Sequence, residues 1–106
     1  MDQTDHNKPP IRSEFADDAD MIELIEYYVS ELPEKVKSLT ECLETNKLDE
    51  LRRLAHQMKG ASGGYGFTPV GEVAAQLEQA IDGEDDIQRI QNNVEELIAM
   101  CRRVSV

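Results

Sequence analysis

The chain holds two histidines, and only His56 stands among residues whose types and spacing suggest chemistry. His6 lies in a polar lead-in and reads as a solvated side chain. On a helix turning about 100° per residue, with His56 at zero, Arg52 falls at about −40°, Lys59 at about −60°, Gly60 at about +40° and Gly63 at about −20°. The apolar Leu51, Leu54, Ala55, Met58 and Ala61 centre on the far or flanking side. His56 therefore projects from the polar face, ringed by two cations and two residues without side chains. Neutral imidazole is a good nucleophile near neutral pH, and its ring nitrogen can form a labile phosphoramidate. The Lys59 ammonium can offset phosphoryl charge, while Arg52 could help orient a partner.

Charge placement points the same way. The formal net charge is −11, from 22 acidic and 11 basic side chains, yet Leu51 to Gly71 contains no Asp or Glu. Arg52, Arg53 and Lys59 all fall inside that window. A carboxylate-free stretch in an acidic chain suits a bound or transferring anion, phosphate above all; a solvated cationic face is the alternative. Gly60 and Gly63 would each cost a helix interior about 1 kcal/mol relative to Ala. Their lack of side chains leaves room for another protein's backbone beside the imidazole. Gly63 and Gly64 could equally serve to end the helix, which leaves Gly60 unexplained.

The elements that must position these residues are helical. Apolar residues recur in steps of three and four at Ile25, Tyr28, Val29, Leu32, Val36, Leu39 and Leu43, after Asp18 or Asp20 as a cap. Pro33 interrupts this stripe without shifting its phase, so one long kinked helix over 19–46 is expected, with a split at Leu32/Pro33 as the alternative. Leu48 to Ala61 carries the His56 helix, fading between Gly63 and Gly66. Thr68-Pro69 reads as a cap and first helical residue, followed by Val70, Val73, Ala74, Leu77 and Ile81, with Asp82-Gly83 as the end. The last helix begins near Asp85-Asp86 and is expected to bury Ile87, Ile90, Val94, Leu97, Ile98, Cys101 and Val104. No segment alternates with period two. The expected architecture is all-α, an antiparallel up-down-up-down four-helix bundle with a short helical turn between Ile11 and Phe15. Residues 1–11 read as a disordered tail, and 12–106 as the bundle.

The run Leu54-Ala55-His56-Gln57-Met58-Lys59-Gly60-Ala61-Ser62-Gly63-Gly64-Tyr65-Gly66-Phe67 resembles the His-x-x-Lys-Gly core of histidine phosphotransfer (HPt) domains. Leu77-Glu78 resembles their Leu-Glu pair on the next helix, and Leu32-Pro33-Glu34 a stretch often seen in the family; the likeness runs from about Phe15 to Val104. It implies a phosphorelay carrier, with His56 as phosphoacceptor, Lys59 as electrostatic support, and Gly60 and Gly63 as clearance for a receiver domain. Glu78 matches a carboxylate that hydrogen-bonds the active histidine in some chemotaxis-kinase relatives; an ordinary surface glutamate is the alternative. The implied partners are receiver domains and a sensor or hybrid histidine kinase. No cofactor is expected in this chain, with Mg2+ in the partner receiver only.

Composition bounds the rest. So acidic a chain repels nucleic acid and anionic membranes, and no apolar run is long enough for a membrane span or signal-peptide core. Cys42 and Cys101 lack metal-type spacing and read as reduced, largely buried thiols of a cytoplasmic protein. No metal site is expected: one histidine in the folded part and no inward Glu-x-x-His pairs disfavour a metal or haem bundle. Without a nucleotide-binding motif, autonomous kinase activity is not expected. With the apolar stripes assigned to the core, a monomer is expected. Met1 and the untidy tail favour a stand-alone carrier over a phosphotransfer domain cut from a larger kinase, and a non-phosphorylated adaptor bundle is the remaining alternative.

Overall fold

The computed structural model describes residues 8–106. A single 3-10 turn, Ala19–Met21, leads into helix α1, Ile22–Glu44. Helices α2, Leu48–Gly64, α3, Thr68–Asp82, and α4, Ile87–Arg103, follow. Each helix packs on the next and α4 closes back onto α1, the ring that short connections impose on four amphipathic helices. Among the described residues there is no strand, only an isolated parallel bridge between Ile11 and Val104.

Helix α1 runs unbroken through Pro33, so the split does not occur. Leu32 and Leu39 are buried before and after it, while Pro33 itself is exposed. Burial of the flanking leucines, worth about 1.5–3 kcal/mol each, offsets the missing N–H. Asp18 caps the leading turn by accepting from the Asp20 N–H at 2.9 Å, and Asp86 caps α4 by accepting from the Arg89 N–H at 2.9 Å. Asn46, at φ 56°, takes the left-handed conformation that reverses the chain between α1 and α2.

Several details differ from the sequence reading. Ala61 is exposed and Ser62 is buried in its place. Ser62 pairs with the Tyr28 hydroxyl at 2.6 Å, so a polar residue occupies a core position by hydrogen bonding. Ile87 is 51% exposed, because it opens α4 at the rim of the bundle. Thr68 is the first residue of α3 rather than its cap; Phe67 precedes the helix, with no side-chain cap hydrogen bond. Ile11, assigned to the tail, is buried: its N–H donates to the Arg103 carbonyl at 2.8 Å and its carbonyl accepts from the Ser105 N–H at 2.9 Å. The folded part therefore includes Ile11, while the tail expectation for residues 1–7 lies outside the described residues.

The helical turn expected between Ile11 and Phe15 is displaced to Ala19–Met21. The earlier residues instead strap the α2–α3 connection. Ser13 donates to the Tyr65 carbonyl at 2.7 Å, and the Glu14 N–H donates to the Gly66 carbonyl at 2.8 Å. Both cysteines are free; Cys101 is buried and Cys42 half-buried. Burial pushes the Cys101 thiol up to about 11.

Candidate functional site

The polar face of α2 meets α3 in a cluster centred on one carboxylate. Glu78, four residues before the end of α3, is buried despite its charge. Its Oε2 lies 2.9 Å from His56 Nδ1, and its Oε1 accepts from Lys59 Nζ at 2.9 Å. Arg52 Nη2 stands 3.7 Å from the same Oε2, and Arg52 Nε donates to Asp82. The sequence placed His56, Lys59 and Arg52 on one helical face; the structure brings all three onto Glu78. Asp82, read only as a helix end, joins them.

The Lys59 hydrogen bond, followed by that of His56, holds the Glu78 carboxyl below the usual glutamate range against the opposing effect of desolvation. Glu78 is therefore ionised near neutral pH and can only accept. In the neutral imidazole an acceptor-only Glu78 favours the proton on Nδ1, which leaves the lone pair on Nε2. With 62% of the His56 side chain exposed, the ring is open to a partner while its orientation is set from behind.

The glycines lie beside this ring. A Cβ built on Gly60 or Gly63 meets nothing within 4 Å, so the chain's own packing does not demand glycine at either position. Gly71 differs. A Cβ there would come 3.3 Å from the Lys59 carbonyl and 3.5 Å from the Ser62 Cβ, so its bareness lets α3 approach α2 just behind the site. Beneath α2, Tyr28 stacks on Phe67 at 4.8 Å and meets Tyr65 at a tilt, with ring centroids 5.3 Å apart. Burial pushes its hydroxyl up to about 12, which keeps it neutral and paired with Ser62.

Towards α1, on the flank away from Glu78, a groove of about 190 Å³ has Tyr27, Leu32, Met58 and Tyr65 among its lining, with the charged Glu31 and Lys35 also on its wall. Tyr27 is 59% exposed there. Among the described residues no group of three or more His, Cys, Asp or Glu side chains could hold a metal ion. Nor is any described helix long and apolar enough to cross a membrane.

The family model for the Hpt domain matches residues 23–105. The chain belongs to the Hpt domain family, whose members are phosphocarriers of two-component signalling. Nothing among curated protein sequences matches it significantly. The same is true of the solved structures.

Proposed function

We propose that the chain is a phosphorelay carrier that accepts a phosphoryl group on Nε2 of His56, from a receiver-domain aspartate or a histidine kinase, and passes it to another receiver. The observation that carries this reading is the exposed imidazole tied through Nδ1 to an ionised Glu78 at 2.9 Å. The Nε2 lone pair attacks phosphorus, an N–P bond forms, and the aspartyl P–O bond breaks with its electron pair returning to the aspartate. The imidazole gains positive character as the N–P bond forms, and Glu78 stabilises it through the Nδ1 proton. Return of the phosphoryl group to a second aspartate reverses each event.

Lys59, 42% exposed and bound to Oε1, secures Glu78 and lies one turn from the acceptor, where its charge offsets the incoming phosphoryl oxygens. Gly60 and Gly63 leave space for the receiver's backbone, and the groove beside Tyr27 supplies apolar contact. Mg2+ for the transfer would sit among the receiver's carboxylates. A monomeric, cytoplasmic carrier without autonomous catalysis is part of the same proposal, and the strongly acidic composition disfavours nucleic-acid and anionic-membrane partners.

Incubation with a phosphorylated receiver domain tests the assignment. Wild type should acquire acid-labile phosphate and His56→Gln none, with unchanged helical content. Acid-labile phosphate on the variant, or none on wild type, would overturn it.

A further inference from the structure

Glu78 holds His56, and Glu78 is in turn the end of a chain of charges that starts at Asp82. The two carboxylates lie four residues apart on α3, a spacing at which like charges repel. Arg52 spans them from α2. Its Nε donates to Asp82 Oδ1, and its Nη2 stands 3.7 Å from Glu78 Oε2, the oxygen that accepts from His56 Nδ1. We propose that Asp82 is a positioning residue for phosphoryl uptake: it anchors Arg52, whose guanidinium steadies the carboxylate oxygen that orients His56.

Two features favour this over Arg52 as a free cation awaiting phosphate. The guanidinium is already engaged, its pKa raised first by the hydrogen bond to Asp82. Its planar fork also addresses two carboxylates at once, which the single ammonium of a lysine cannot do. The Arg52 and Asp82 side chains are 47% and 49% exposed. An ion pair that open contributes little to stability, so its consequence is geometric.

The inference rests on His56 being the acceptor, and the test separates the two claims. Ring-nitrogen NMR of the unphosphorylated chain gives the fraction of imidazole protonated at Nδ1; uptake from a phosphorylated receiver gives the rate. Asp82→Asn and Arg52→Lys should each lower the Nδ1–H fraction and slow uptake about two- to fivefold, with the thermal midpoint nearly unchanged. In a Glu78→Gln background, Asp82→Asn should add nothing. A wild-type tautomer ratio in Asp82→Asn, wild-type behaviour in Arg52→Lys, or slowing that persists without Glu78 would each overturn the inference. Absence of uptake by wild type would instead refute the acceptor assignment, and the tautomer comparison would still decide Asp82.

Discussion

Two sets of glycines lie within twelve residues of one another, and the fold treats them oppositely. Around Gly66 and Gly71 the chain is closed in. Gly66 sits at φ +87°, and a Cβ there would run into the Ser13 hydroxyl and come within 2.9 Å of the Phe15 ring. Gly71 lets α3 lie against the α2 backbone. Gly60 and Gly63, on the same stretch, face open space. The first set answers to the chain's own packing. The second carries a helix-propensity cost that the chain's own packing does not require, the observation behind the proposed clearance for a receiver.

Substitution should separate the two sets. The largest effect is expected at Gly66, where Ala would combine a left-handed backbone with a clash against the Ser13–Phe15 strap. A loss of about 2–3 kcal/mol is predicted, a fall in thermal midpoint of roughly 10–20 °C. Denaturant and thermal melts check this, and a wild-type melt would mean the strap is not a fixed part of the fold. Gly63→Leu should leave the melt intact and weaken receiver affinity about tenfold, or 1.4 kcal/mol. Unchanged affinity would remove the case for clearance. The smallest effect is expected at Gly60, where Ala should stabilise the chain by about 1 kcal/mol or less, since helix propensity improves and no neighbour is disturbed. Destabilisation by Gly60→Ala would show that the position belongs with Gly66 after all.

What the sequence made legible follows the range of its signals. Steps of three and four located all four helices, because each buries a stripe of its own residues. Angles within one helix put Arg52, Lys59, Gly60 and Gly63 around His56 for the same reason. The contacts between helices were harder to read. Asp82 stands 30 residues beyond Arg52, and their meeting depends on how α2 and α3 pack, which the close approach at Gly71 helps to set. Ser62 was missed because a hydroxyl carries no apolar signal, although its pairing with Tyr28 makes it fully buried. Ile11 follows two prolines, with no periodic neighbours to mark it as core. Glu78 was found by resemblance alone; its burial and its grip on Nδ1 come from α3 facing the polar side of α2.

The proposed division of the imidazole, with Nδ1 held by Glu78 and Nε2 left for phosphorus, has its own readout. It is tested most directly by phosphorylating the chain with isotope-labelled histidine and reading which ring nitrogen of His56 couples to phosphorus. Coupling is expected at Nε2, with the proton retained on Nδ1 facing Glu78. Coupling at Nδ1, or a phosphorylated His56 whose Nδ1 has lost its proton near neutral pH, would contradict it.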